Sequence, residues 1–350
     1  MSTLSAFFAS IGLPEIIAGI ILLALNAYVL MGGADYGGGV WDLFAGGPRA
    51  GKQRELIAES IGPIWEANHV WLIVVVVMLF TAFPLAFGTL GVVLHIPLTL
   101  MLVGIVMRGS AFVFRSYGRR SFDVRDRWGN TFAMASIATP ILLGTIIGAI
   151  SSGAVSVASG RVTHGSFAEV YVAPWLAPFP ITVGAFAVTL FAYLAAVYLT
   201  IEARDDGLRE DFRKRALLAA VLVFALAGIA LLLSRPWAPR VAEGVMRSRW
   251  SVVLHVCTAA AAITAIVALY QRAYKLARFA AAAQVSLILW GWAFSQYPFL
   301  LPTSLTIRQA AAPAITLRLL LIGLAVGGLI LIPSLRYLFR MFAGRAGERA

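Results

Sequence analysis

A carboxylate, an amide, an imidazole and two indoles fall in the short stretch Trp65-Glu66-Ala67-Asn68-His69-Val70-Trp71, directly ahead of the apolar run Leu72 to Phe80. Ionisable groups at membrane depth are costly unless paired or hydrated. At 3.6 residues per turn, Glu59, Pro63, Glu66, His69 and Ile73 form one stripe along a helix. Pro63 lacks a backbone donor, which predicts a loosened helix just below Glu66 with room for water. Such a stripe is suited to an acid–imidazole file that moves protons or anchors a charged partner. The blander reading is a set of interfacial groups whose tips reach headgroup water, and it is the better one for Glu59. Trp65, Asn68 and Trp71 flank the stripe as supporting or interface residues.

A second acid, Asp35, lies in Gly32-Gly33-Ala34-Asp35-Tyr36-Gly37-Gly38-Gly39, with Asp42 on the same face if the helix continues. The glycines would let a neighbouring helix approach the carboxylate closely. A buried carboxylate there is suited to proton exchange; the alternative is a helix-end group touching solvent. Arg108 ends the run Leu98 to Met107 and is a natural counter-ion for Glu66 or Asp35, unless it snorkels to the interface. Of the four histidines, His95 and His255 sit in apolar spans where axial ligation of a haem is sterically possible. No second ligand follows from spacing, no C-x-x-C-H motif is present, and a hydrogen-bonded core histidine is the better reading. Zinc is less favoured still, and no phosphate-binding glycine loop follows a strand. Trp290, Trp292 and Gln296-Tyr297-Pro298 read as an aromatic interfacial belt and a helix stop.

These residues need apolar helices to hold them. The chain has 350 residues, 60% hydrophobic and 13% charged, with mean hydropathy +0.87. Soluble domains carry about 25% charged residues. A hydrocarbon core of roughly 30 Å takes about 20 apolar residues per helix. The sequence therefore predicts an all-α polytopic membrane protein of about nine spans, at approximately 14–34, 64–83, 88–114, 130–151, 178–201, 216–234, 250–271, 279–298 and 315–338. The runs are too long, and lack the alternation, for membrane strands. The whole chain, 1–350, reads as one integral membrane domain. A first four-helix bundle over 14–151 carries the polar cluster; 178–338 supplies a second bundle plus one peripheral helix.

The net charge of +12 sits mostly in short loops, which speaks for topology and anionic lipid rather than nucleic acid. Arginines and lysines between spans 1 and 2, 3 and 4, 5 and 6, and 7 and 8, and in the tail, all fall on one side. By the positive-inside rule that side is cytoplasmic, with the N-terminus outside and the C-terminus inside. Arg235, Arg240, Arg247 and Arg249 fall on the other side and suggest a contact surface for a partner. The single Cys257 offers neither a disulfide framework nor a thiolate metal site. The first apolar stretch reads as a retained helix rather than a signal peptide.

The stretches Gly33-Ala34-Asp35-Tyr36-Gly37-Gly38-Gly39 and Ile61-Gly62-Pro63-Ile64-Trp65-Glu66-Ala67-Asn68-His69-Val70-Trp71-Leu72-Ile73 resemble subunit II of the cytochrome bd-type quinol oxidases. So do Phe80-Thr81-Ala82-Phe83-Pro84, Arg108, and Gln296-Tyr297-Pro298-Phe299-Leu300-Leu301-Pro302 with Ser304-Leu305-Thr306 and Thr316-Leu317. The resemblance covers roughly 14–340, strongest in the first 120 residues or so. It implies an accessory subunit of a membrane quinol:dioxygen oxidoreductase of aerobic respiration, in the prokaryotic cytoplasmic membrane. Haems b and d and quinol oxidation belong by this resemblance to a partner subunit I, and no cofactor is expected directly in this chain. It further implies a pseudo-symmetric pair with subunit I, contacts with small single-helix subunits and lipid, and a cytoplasmic proton pathway. Carried over by position, Asp35 and Glu66 would be pathway carboxylates, with Trp65, Asn68 and Arg108 in support. Departures from the family pattern are Gly32 in place of a second aspartate, His69 where Gln or Glu is common, and Arg308-Gln309 for a Trp-Asn pair. They fit a divergent branch, such as the cyanide-insensitive type. An independent transporter using buried acids is the competing class, but it calls for interrupted helices in both halves, and the polar cluster occurs only in the first.

Overall fold

The computed structural model describes residues 12–117, 122–155 and 165–347, with the side chains of 61–67, 116–117, 122–126, 332, 335 and 338–347 excepted. Long helices dominate: α1 (Leu13–Leu43), α2 (Ala50–Ala82), α3 (Pro84–Val93), α4 (His95–Tyr117) and α5 (Phe122–Ser151). After the short α6 (Phe167–Tyr171) and α7 (Ala173–Leu176) come α8 (Pro178–Glu202) and α9 (Asp206–Trp237). Next are α10 (Pro239–Arg247), α11 (Arg249–Tyr270) and α12 (Tyr274–Gln296). The hairpin β1 (Phe299–Leu301) and β2 (Leu305–Thr306), α13 (Ile307–Ala310) and α14 (Ala314–Gly347) complete the order. Among the described residues eight helices are long and apolar enough to cross a membrane, or nine if a bent pair counts as one span.

The bent pair marks a departure from the expected spans. Helix α2 runs through Pro63 without a break in assignment and turns instead at Phe83, where α3 leaves at 114° to the stretch Asn68–Ala82. Phe83 precedes Pro84, whose ring disfavours the α region for it, and Phe83 takes φ −133° and ψ 58°. The expected span 88–114 is divided at Leu94 (φ −106°, ψ 21°). Pro97, in the first turn of α4, has no N–H to continue the helical ladder across that junction.

The first helix also outruns its expected end at residue 34 and continues to Leu43. A glycine costs a helix about 1 kcal/mol relative to alanine, and close packing offsets it here. A Cβ at position 37 would lie 2.0 Å from the Phe191 carbonyl oxygen of α8, and one at position 39 would lie 2.2 Å from Ser136 Oγ of α5. Helix α1 thus packs against α2, α5 and α8, and the larger buried cluster draws on α1, α5, α8, α9 and α12. Gly37→Ala is expected to destabilise by about 1–3 kcal/mol through overpacking against backbone. The thermal unfolding midpoint of the purified protein should fall, while Gly19→Ala, with nothing within 4 Å, should not lower it.

Ion pairs gather the basic connections at one end. Arg115 pairs with Asp42, Arg49 with Asp211, and Arg272 with Glu210. At the opposite end Arg308 pairs with Glu15, and Trp292 Nε1 donates to Ser151 Oγ at 2.7 Å. The arginine-bearing connection 235–249 lies largely in α10, held at that opposite end. Gly244 packs on Ser295, and Arg240 stands 4.0 Å over the Phe299 ring. The hairpin pairs Phe299 with Thr306 and Leu301 with Leu305, antiparallel. Over Ala314–Leu331, helix α14 has few buried residues and packs mainly against α2 and α1.

Candidate functional site

Asp35 and Arg108 meet in the interior of the first helices, 0% and 1% exposed. Arg108 Nη1 donates to Asp35 Oδ2 at 3.0 Å and Nη2 to Oδ1 at 2.5 Å, a bidentate pair. Two further donors are also used. Nη2 reaches the Asp35 main-chain oxygen at 3.1 Å, and Nε donates to Ser136 Oγ at 2.9 Å. Ser136 in turn donates to the Phe132 carbonyl at 2.7 Å. Tyr36 and Phe132 flank the guanidinium carbon, with ring centres at 4.7 and 4.8 Å. Desolvating two charges is expensive, and a buried pair is tolerable only when its other lone pairs and protons are satisfied. Gly39 supplies the room for that, since any larger residue would displace Ser136.

A second pair lies seven residues further along both helices. Arg115 Nη1 and Nη2 donate to Asp42 Oδ2 and Oδ1 at 2.9 and 3.1 Å. Equal steps on α1 and α4 require the two helices to run parallel, as two odd-numbered spans of a nine-span topology must. The two pairs close this seam from the basic end inward.

The third wall is α2. Asn68 is fully buried, and a Cβ on Gly32 would lie 3.1 Å from its Nδ2. Asn68 and His69 are both within interaction range of the Asp35 carboxylate. By hydrogen-bond geometry neither amide atom of Asn68 has a partner among the described residues, nor does the Tyr36 hydroxyl. Trp71 is partly buried against the large core cluster and serves packing. The side chains of Trp65 and Glu66 lie outside the described residues, although both positions fall on α2. Elsewhere on the stripe that holds Glu66, Glu59 is exposed, His69 is half-buried and Ile73 is 60% exposed.

Arg108 therefore answers to Asp35, one of its two expected partners. What sequence reasoning missed is the Arg115–Asp42 pair and the seat provided by Ser136. Asp42 was visible at one heptad from Asp35; nothing in the sequence singled out Ser136. Of the histidines, His95 Nδ1 lies 2.9 Å from the Val92 oxygen and His255 Nδ1 lies 2.6 Å from the Ser251 oxygen. His164 lies outside the described residues. No group of three His, Cys, Asp or Glu residues able to hold a metal occurs among the described residues.

Comparison with known proteins places the sequence in a family. The family described as "Cytochrome bd terminal oxidase subunit II" matches residues 13–342. The chain belongs to that family. It is a multi-pass membrane subunit of a cytochrome bd-type quinol oxidase, an oxidoreductase complex. It is 23% identical over 327 residues to a putative cytochrome bd menaquinol oxidase subunit II of Bacillus subtilis, covering 90% of this chain and 91% of the relative. It is 26% identical over 220 residues to the cytochrome bd-I ubiquinol oxidase subunit 2 of Escherichia coli, covering 61% of this chain and 55% of that protein. Among solved structures, one chain of the bd oxidase from Geobacillus thermodenitrificans superposes with a TM-score of 0.71 at 22% identity, over 94% of this chain and 98% of that one. That likeness shows the fold: a subunit of all-α membrane architecture.

Proposed function

We propose that this chain works beside a haem-bearing subunit I in the prokaryotic cytoplasmic membrane. It stabilises that subunit and delivers protons for the reduction of dioxygen to water by quinol. The basic end faces the cytoplasm, as the positive-inside rule requires, with the N-terminus outside and the C-terminus inside. Haems b and d supply the redox chemistry and reside in the partner.

The observation that carries this reading is the contrast between the two faces of α2. One face turns Asn68 inward against Gly32, near the Asp35–Arg108 pair. The stripe on another face, with Glu66 at its centre, has both described ends exposed, at Glu59 and Ile73. Glu66 and His69 lie between these ends, and ionisable groups at membrane depth need a partner or water beside them.

The residues then divide the work. Glu66 accepts a proton from the cytoplasmic side, and His69, one helical turn further, is the next station. A carboxylate and an imidazole at i and i+3 are neighbours on a helix surface and suit proton exchange. Asp35 closes the inner side of the pathway as a fixed charge. To take a proton it would have to give up its bidentate contact and leave a buried guanidinium unbalanced. Trp65, Asn68 and Trp71 hold α2 in place around the stations.

Purifying the chain from its native membrane tests the assignment. We expect a haem-bearing partner to co-purify, with the haem spectrum of a bd-type oxidase. A clean chain with no accompanying haem protein would overturn it.

A further inference from the structure

At the basic end, the loop between α1 and α2 and the first turns of α9 enclose a cleft of about 320 Å³. Its charged lining residues are Arg49, Asp211, Lys214 and Arg215. Asp211 is fully engaged by Arg49, at 2.9 and 2.6 Å, and by Gln53 Nε2 at 2.9 Å. Arg215 is held by neutral acceptors only. Its Nη2 donates to the Phe44 carbonyl at 3.0 Å and to Gln53 Oε1 at 2.8 Å, and Nη1 is buried with no hydrogen-bond partner among the described residues. Lys214 is exposed and has no carboxylate in salt-bridge contact among the described residues. The cleft thus presents one exposed cation, Lys214, beside the half-buried Arg215 guanidinium, which lies over the Trp41 and Phe212 rings.

What adjoins these cations is apolar. Leu218, Val221 and Leu222 follow Lys214 at i+4, i+7 and i+8 on α9, at 57%, 65% and 47% exposure. On a helix these positions continue one face. Phe44, whose carbonyl Arg215 holds, is itself 62% exposed. A cationic pocket opening onto an outward apolar stripe, at the end of a helix long enough to span, matches an amphiphile with a phosphate head.

We infer that this cleft binds the headgroup phosphate of one anionic phospholipid of the leaflet at the basic end, with the acyl chains lying along Leu218, Val221 and Leu222. Lys214 supplies the mobile charge, and Arg215, fixed by Phe44 and Gln53, supplies the rigid one. This inference does not depend on the proton pathway. It requires only that α9 crosses the membrane with its basic end at the interface.

Native mass spectrometry of the full complex, exchanged into nanodiscs of phosphatidylglycerol mixed with phosphatidylcholine, tests it. Wild-type protein should retain one more phosphatidylglycerol molecule than the Lys214→Ala variant. That variant should bind this lipid about fivefold more weakly, the effect of one basic residue near a lipid surface. Lys275→Ala, a change at an exposed lysine that does not line the cleft, should leave the bound lipid in place. Equal retention by wild type and Lys214→Ala would overturn the proposal. So would protection of wild type by inorganic phosphate with no lipid retained, which would make the cleft a site for free anions.

Discussion

Replacing Arg108 by leucine is expected to destabilise the protein by about 3–5 kcal/mol, because it strands the Asp35 charge in the interior. The size follows from the surroundings. Asp35 is 0% exposed, and Arg108 holds both of its carboxylate oxygens. Ser136 Oγ would also lose the donor it receives from Nε. Lysine should not rescue the variant, since an ammonium cannot make the two parallel contacts to the carboxylate and also reach Ser136. The double variant Arg108→Leu with Asp35→Leu removes both charges and should recover much of the loss. Thermal unfolding of the four proteins in the same detergent gives the comparison. Arg115→Leu should cost less, because Arg115 retains 14% exposure and water can reach the charge left on Asp42.

Much of this site was legible in the sequence because its cost was visible there. An aspartate among glycines, an arginine ending an apolar run, and an acid, an amide and an imidazole on one helix all stand out where the background is Leu, Val and Ala. Spacing assigned Asp35 to Arg108 as one of two options, and the fold selected it. Span edges were less legible. The glycines around Asp35 read as the end of a helix, yet Gly37 and Gly39 are what allow α1 to continue against α8 and α5. Pro63 read as the weak point of α2, whereas the turn falls at Phe83 before Pro84. A proline within a membrane helix can be accommodated by its neighbours, and sequence alone does not show which neighbours are present. Ser136 and Gln53 were invisible for a different reason. Their importance lies in long-range contacts to Arg108, Asp211 and Arg215, and neither residue type is unusual in its own helix.

Glu66→Gln is expected to abolish most oxygen consumption while leaving assembly intact. The amide keeps the size and hydrogen-bonding capacity of the carboxylate but cannot carry a proton. Loss of a positioned proton carrier costs on the order of 10²-fold or more in rate when that transfer limits turnover. Asp at position 66 keeps the chemistry on a shorter arm and should retain partial activity. His69→Gln should fall between the two, since water can substitute for a second station more readily than for the first.

The proposed role of the stripe on α2 is to pass protons toward a partner. Quinol-driven oxygen consumption by the purified Glu66→Gln complex, normalised to its haem absorbance, is the most direct test. Proton transfer through Glu66 requires near-wild-type haem content with turnover reduced by about 10²-fold. Wild-type turnover per haem in that variant would contradict it and leave this chain a scaffold.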